Sequence, residues 1–181
     1  MRDLSAARSP ALVSATTALR VLPPATRYVL RGAADVRVAA QESLGIRVPA
    51  SACRAVTDGE RAALWLGPDE WLLIAPERCA AAIVRALRDA LEGLPHSLVD
   101  VSHRQLALAV TGPGATTLLA AGCPLDLDAG AFPVGMCTRT MLAKSEIVLW
   151  RTGAQEFRLE VWRSFAAYVS QFLAEAARGS I

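Results

Sequence analysis

The stretch LVDVSHRQLALAVTG, residues 98–112, decides how this chain is read. It sets Asp100, Ser102 and His103 within four positions and then runs through alternating apolar residues to a glycine. Read as chemistry, its first half suggests an acid, a nucleophile and a base. An extended backbone defeats that reading, because successive side chains point to opposite faces: Asp100 and Ser102 share one face and His103 lies on the other. No G-x-S-x-G elbow is present to lift the serine out of a sheet. Asp100 and Ser102 are expected instead to bond nearby backbone amides at a strand entrance, so that Asp100 to His103 begins the second of two similar units.

The repeat emerges when LALAVTG (106–112) is laid on RYVLRG (27–32), an earlier β-type alternation that also ends in glycine. After RYVLRG come the helix-like AADVRVAAQESLGI, the strand candidates CRAVTD, RAALWLG and EWLLIAP, and the amphipathic ERCAAAIVRALRDALEG. In this last segment Cys79, Ile83, Leu87 and Leu91 recur at i+4 and Val84 widens the stripe. After LALAVTG come PGATTLLAAG, the strand candidates CTRTMLAK, EIVLWRTG and FRLEVW, and SFAAYVSQFLAEAAR, where Phe165, Val169, Phe172, Leu173 and Ala176 mark one predicted face. Both halves read βα-βββ-α. Gly32 with Gly112, Cys53 with Cys137, Trp65 with Trp150 and Arg78 with Arg163 keep offsets of 80 to 85 residues.

These patterns predict an α+β fold of two pseudo-repeated units, each of antiparallel strands with helices packed on one face, since short turns such as GPDE and TGAQ join antiparallel neighbours. A flexible N-terminal arm is expected over 1–26, the first unit over 27–95 and the second over 96–181, with the seam at 94–97. Gly32 and Gly112 fall where a strand turns into a helix, a place where positive φ or close approach excludes a side chain. Pro113 suits a first helical turn, where a missing amide hydrogen costs nothing.

Composition narrows the function. A chain of 181 residues can bury a substantial core, and its hydrophobic fraction of 53%, much of it alanine, favours a buried partner surface. Nineteen basic residues against 17 acids are scattered rather than gathered in a stripe, which excludes nucleic acid as a partner. Cys53, Cys79, Cys123 and Cys137 form no C-x-x-C pair, so free thiols in a reducing cytoplasm are expected, and no zinc site. No apolar run approaches the roughly 18–20 residues that cross a bilayer, and a soluble protein is expected. The opening MRDLSAARSPALVSATTALR is poor in acids and lacks a secretory apolar region.

The remaining candidates are few. GPG at 112–114 sits at a helix start, where backbone amides can hold an anion, but neither phosphate fingerprint accompanies it. Asp126 and Asp128 in CPLDLDAG are too few acids for calcium and suit turn capping. Two histidines leave little for acid–base or metal chemistry. No catalytic, cofactor-binding or metal-binding residue is therefore assigned. Trp65, Trp71, Trp150 and Trp162 all fall in strand candidates and read either as core or as partner contacts; Arg151 and Arg163 directly follow two of them. These six residues are the candidate partner interface.

The string LGPDEWLLIAP, VDVSHRQLALAVTGPGATTLL, GCPLDL, FPVGMCTRTMLAK and FRLEVWRSFAAYVSQFL resembles the gamma subunit family of heterotetrameric sarcosine oxidase, over about 27–178. The second half is similar, more distantly, to the aminomethyltransferase of the glycine cleavage system, in which an acid-x-Ser-His strand also precedes a G-x-x-A helix. The resemblance implies an aminomethyltransferase-like fold and a cytoplasmic complex with alpha, beta and delta subunits. That complex oxidatively demethylates sarcosine to glycine, with hydrogen peroxide and methylenetetrahydrofolate as products. It implies FAD, FMN, NAD, tetrahydrofolate and zinc on the other subunits, none on this chain, and a non-catalytic role here. Asp126 matches the aminomethyltransferase aspartate, but Pro124-Leu125 replaces the usual Thr-Asn and Ala143-Lys144-Ser145 stands where Gly-Gly is usual. The alternatives are a subunit of a related N-methyl amino acid oxidase or dehydrogenase complex, and a stand-alone folate-binding aminomethyltransferase-like protein.

Overall fold

The computed structural model describes residues 11–14 and 16–179. The strands are β1 (Ala11–Ser14), β2 (Thr17–Val21), β3 (Ala25–Gly32), β4 (Ala55–Asp58), β5 (Arg61–Gly67), β6 (Glu70–Pro76), β7 (His96–Asp100), β8 (Gln105–Thr111), β9 (Cys137–Leu142), β10 (Ser145–Gly153) and β11 (Glu156–Trp162). The helices are α1 (Ala34–Leu44), α2 (Ala80–Ala90), α3 (Ala115–Ala120) and α4 (Arg163–Gly179), with a 3-10 turn at Glu77–Cys79 leading into α2. The chain forms two compact units, one of Pro24–His103 and one of Met1–Pro23 with Arg104–Ile181.

The unit Pro24–His103 holds a five-stranded antiparallel sheet in the order β4-β5-β6-β3-β7. Alternation in its strands sends Tyr28, Leu30, Ala63, Trp71, Leu73 and Ala75 to one face, where Val36, Ala40 and Leu44 of α1 and Ile83, Leu87 and Leu91 cover them. The i+4 stripe read from the sequence of α2 is the stripe that is buried. Leu64, Leu72 and Ile74, on the other sheet face, are also buried; this is why RAALWLG and EWLLIAP read as nearly continuous apolar runs. Gly45, at φ 64, ends α1 in the left-handed conformation, and its N–H donates to Gln41 O. The loop that follows is pinned by Arg37 Nη1 and Trp71 Nε1, which donate to Val48 O at 3.0 Å and Pro49 O at 2.7 Å.

The second unit holds a six-stranded antiparallel sheet in the order β1-β2-β8-β11-β10-β9. Leu19, Leu108, Val110, Ile147, Leu149, Phe157, Leu159 and Val161 line one face, under Leu118 and Leu119 of α3 and Ala166, Val169, Leu173 and Ala177 of α4. Phe165, placed on this stripe by its spacing from Val169, is 42% exposed. The buried face begins one residue later, at Ala166, and turns Phe165 outward.

The predicted α+β class and the antiparallel strands with helices on one face agree with the structure. The boundaries fall elsewhere. Within the span assigned to a flexible arm, Thr17–Val21 is a strand: Ala18, Leu19, Arg20 and Val21 pair with Thr111, Val110, Ala109 and Leu108. Residues 1–10 of that arm lie outside the described residues. His96–Asp100, assigned to the second unit, pairs antiparallel with β3, Gly32 facing His96 and Tyr28 facing Asp100. Both differences have one cause. β3 and β8 each leave one backbone edge open after pairing with β6 and β11, and buried backbone groups need partners. The strand preceding β8 in sequence fills the edge of β3, and the strand preceding β3 fills the edge of β8. Each repeat is thus β-β-α-β-β-β-α, with its leading strand paired in the sheet of the other.

The repeat is also more regular than the sequence offsets suggest. Trp65 pairs with Trp71 before a register break leading to Gly67 opposite Glu70; Arg151 pairs with Phe157 before the same break leading to Gly153 opposite Glu156. The two hairpins correspond at an offset of 86 residues, from Gly67 to Gly153 and from Glu70 to Glu156. Trp65 is therefore equivalent to Arg151, not to Trp150, and a slip of one residue along a strand reverses the face.

Both glycines that close the first strand of the repeat are required, for different reasons. At Gly32 a Cβ would lie 2.6 Å from Val36 Cβ, a close approach alone. Gly112 combines φ +114 with an added Cβ 2.2 Å from Thr16 O. Gly112→Ala is expected to destabilise by about 2–3 kcal/mol, since backbone strain adds to a clash with main chain. Gly59→Ala, at φ +55 with open space around it, should cost about 1 kcal/mol. Urea midpoints of the two variants check this, and equal midpoints would remove the steric argument.

Candidate functional site

Asp100, Ser102 and His103 belong to a turn that the first two hold together. Asp100 Oδ1 accepts the Ser102 N–H at 2.8 Å, and Ser102 Oγ accepts the Arg27 N–H at 2.9 Å and meets Thr26 Oγ1 at 3.2 Å. The predicted bonding to backbone amides is what these side chains do, but at the end of the first unit's sheet rather than at the start of the second's.

GPG at 112–114 is already occupied by the chain. Gly112 N–H donates to Gln155 O at 2.9 Å and Gly114 N–H to Thr16 O at 3.3 Å, while Thr17 Oγ1 and Thr16 Oγ1 lie 2.5 and 2.6 Å from where a Gly114 Cβ would stand. The loop serves as a seat for the turn between β1 and β2. Asp126 and Asp128 cap turns as predicted, Oδ1 of each accepting a backbone N–H two residues on, from Asp128 at 2.9 Å and from Gly130 at 2.8 Å. Among the described residues no group of three or more His, Cys, Asp or Glu could hold a metal ion. No helix among them is long and apolar enough to cross a membrane.

Glu60 and Arg78 form an electrostatically shifted pair. The hydrogen bond and charge of Arg78 hold the Glu60 carboxyl below its ordinary pKa, and Glu60 raises that of Arg78. A depressed carboxyl contributes stability above its unfolded pKa and loses it as pH falls through the folded one. Both side chains are well exposed, so salt screens the effect. Arg78→Ala is expected to leave the thermal midpoint at pH 7 and 0.5 M salt within about 1 °C of wild type.

The six candidate interface residues divide. Trp71 is 2% exposed in the core of its unit, and Trp150 is 7% exposed with the Arg158 guanidinium 5.9 Å from its ring. Arg151 is 5% exposed, lies 5.0 Å from the Phe157 ring centroid, and donates to four carbonyls: Leu127 at 3.2 Å, Phe132 at 2.9 Å, Gly153 at 3.4 Å and Ala154 at 2.6 Å. These three are interior groups, because a ring or guanidinium buried this far has no face left to present. Trp65 is half-buried against its unit's core. Trp162, 40% exposed, and Arg163 lie on the surface.

The structure leaves two further aromatic residues exposed. Phe165 and Tyr168, 42% and 38% exposed, follow Trp162 on α4, and the Arg104 guanidinium lies 4.9 Å from the Trp162 ring centroid. Arg163 N–H donates to Arg104 O at 2.8 Å, and the Lys144 backbone N–H donates to Tyr168 Oη at 3.4 Å. Spacing puts Phe165 and Phe172 on the buried stripe of α4; Phe172 does pack against that core, and Phe165 is turned outward.

A sequence model described as the sarcosine oxidase, gamma subunit family matches residues 31–179. The sarcosine oxidase subunit gamma of Corynebacterium sp. (strain P-1) is 40% identical over 117 residues, 64% of this chain. The matched part is 56% of that relative's own length. Among solved structures, the chain is similar to one in the heterotetrameric sarcosine oxidase from Corynebacterium sp. U-96 in complex with pyrrole 2-carboxylate. That match has a TM-score of 0.84 at 32% identity and covers 90% of this chain and 84% of the other. The glycine cleavage system aminomethyltransferase T from Bartonella henselae shares the fold at a TM-score of 0.61 and 15% identity, over 89% of this chain and 46% of that one. Repeat, fold and matched span converge on one assignment: this chain belongs to the sarcosine oxidase gamma subunit family.

Proposed function

We propose that this chain is the gamma subunit of a heterotetrameric sarcosine oxidase in the cytoplasm, and that its part there is to dock on the alpha, beta and delta subunits. The observation that carries the reading is the family match across 31–179. In this reading the complex demethylates sarcosine to glycine, giving hydrogen peroxide and methylenetetrahydrofolate. FAD, FMN, NAD, tetrahydrofolate and zinc belong to its other subunits. A non-catalytic role for this chain is supported by the use of its candidate side chains: Asp100, Ser102, Asp126 and Asp128 all bond backbone amides that shape turns.

The residues present do not fit a folate site of the aminomethyltransferase kind. Asp126 commits Oδ1 to the Asp128 N–H on an exposed turn, directly after Pro124 and Leu125.

The test is co-expression of all four subunits with and without this one. Its omission is expected to abolish stoichiometric assembly, flavin retention and sarcosine turnover together. Unchanged values of all three, or turnover of sarcosine by the isolated chain, would overturn the reading. Turnover of another N-methyl amino acid in preference to sarcosine would keep the assembly role and replace the substrate.

A further inference from the structure

We infer that Tyr28 and Arg61 hold a structural water in a small hollow at one end of the five-stranded sheet, and that this water joins β3, β5 and the end of α1. The inference concerns the unit Pro24–His103 by itself and goes beyond the gamma-subunit reading without resting on it.

Strand register builds the hollow. Leu73 of β6 pairs with Tyr28 of β3 and with Ala63 of β5, and Ala75 pairs with Thr26, so the next row of the ladder brings Arg61 level with Ala75. Both rows lie on the sheet face that α1 and α2 cover, because Tyr28, Ala63, Leu73 and Ala75 belong to that core. Beside Ala75 there is a hollow of about 10 Å³, bounded by Leu44 and Ile46 at the end of α1 and by Ile83 of α2. That is the room a single water needs.

Size admits the water, and polarity holds it. Tyr28 is 3% exposed, and its phenolic oxygen has no hydrogen-bond partner among the described residues. Nor is that oxygen sealed off by apolar neighbours: the side chain lines the hollow, where a molecule the size of water reaches it. Arg61 lines the same hollow and commits Nη1 to Leu44 O, which leaves most of the guanidinium's five N–H groups for other acceptors. Thr26 Oγ1, 3.2 Å from Ser102 Oγ, is a third polar atom at the wall. Buried waters have two to four such partners, whereas wholly apolar cavities stay dry.

The bonds then run through three elements. They start at Leu44 O, where α1 ends before left-handed Gly45, pass through Arg61 at the head of β5 and the water, and finish at Tyr28 in β3. A guanidinium at a helix C-terminus faces the carbonyls that the last turn leaves without intrahelical donors. Accepting an N–H of that guanidinium fixes the water, and the water in turn satisfies the buried hydroxyl.

The experiment is a high-resolution crystal structure of the full-length chain, joined to thermal midpoints of Tyr28→Phe, Ala75→Val and the double variant. A water at about 2.6–3.2 Å from Tyr28 Oη is expected in the crystal. Tyr28→Phe should lower the midpoint by about 2–4 °C, the shift of one lost hydrogen bond in a chain of this size. Ala75→Val fills the hollow and evicts the water. Its midpoint should therefore fall further in the wild-type background than in the Tyr28→Phe background, because only the former is left with a stranded hydroxyl. An unchanged or raised midpoint for Tyr28→Phe would show that the hydroxyl had no partner to lose and would overturn the inference. Equal effects of Ala75→Val in the two backgrounds, or a crystal structure in which Tyr28 Oη bonds a protein atom instead of a water, would overturn it as well.

Discussion

A chain starting at Pro24 should lose its six-stranded sheet. Removing residues 1–23 takes away β1 and β2, uncovers the edge of β8 along 108–111, withdraws Leu19 from the core and empties the seat above Gly112. Deleting one buried leucine side chain costs about 2–5 kcal/mol, and the bared strand edge invites pairing with other chains. Against a total stability of about 5–15 kcal/mol for a domain, the truncated unit should be unfolded or aggregated at 25 °C. The sheet of Pro24–His103 keeps all five of its strands. Hydrogen exchange should therefore show protection retained at β3, β5 and β6 and lost at β8 and β11, with partial recovery when a peptide of residues 11–23 is supplied. Full protection of β8 in the truncated chain would refute the assignment of β2 as a structural strand.

Arg151→Met should destabilise its unit at least as much as the loss of either strained glycine, by about 2–5 kcal/mol from two buried acceptors left unpartnered. Methionine replaces much of the volume and none of the donors, so the carbonyls of Leu127, Phe132, Gly153 and Ala154 lose the guanidinium that joins them. The bonds to Leu127 O and Phe132 O are buried, and each acceptor left there without a partner costs about 1–3 kcal/mol, whereas Gly153 O and Ala154 O lie on a more exposed turn. Arg151→Lys should recover only part of the loss, because three donors radiating from one nitrogen cannot span carbonyls that a planar fork reaches on separate segments. Urea denaturation provides the measurement. A loss below about 1 kcal/mol for Arg151→Met would show that the loop before β9 is held by other means.

How much of the fold is legible in the sequence depends on which force writes the pattern. Hydrophobic burial writes apolar runs and periodicity, so β5 and β6 can be read from near-continuous apolar runs, β10 and β11 from largely apolar segments and α2 from i+4 spacing. Hydrogen-bond demand does not. In β7 only Leu98 is even half-buried, and β2 buries only Thr17 and Leu19; both strands exist because an open sheet edge needs partners, and HSLVD and TALRV carry little trace of that. Matching Trp65 to Trp150 by residue type sets the repeat one register position off, as their pairing with Trp71 and Arg158 shows. Arg151 stands out in the sequence only through its neighbour Trp150, and two of the carbonyls that bury it come from a distant loop. Of the proposed interface residues, the two that the structure leaves on the surface, Trp162 and Arg163, sit where β11 passes into α4.

The crossed placement of β2 and β7 bears on ancestry as well as folding. A gene holding one copy of the repeat would encode a chain whose opening strand had no berth in its own sheet, and closure would require a second molecule returning the same strand, as in a domain-swapped dimer. Tandem fusion makes that exchange unimolecular and independent of concentration.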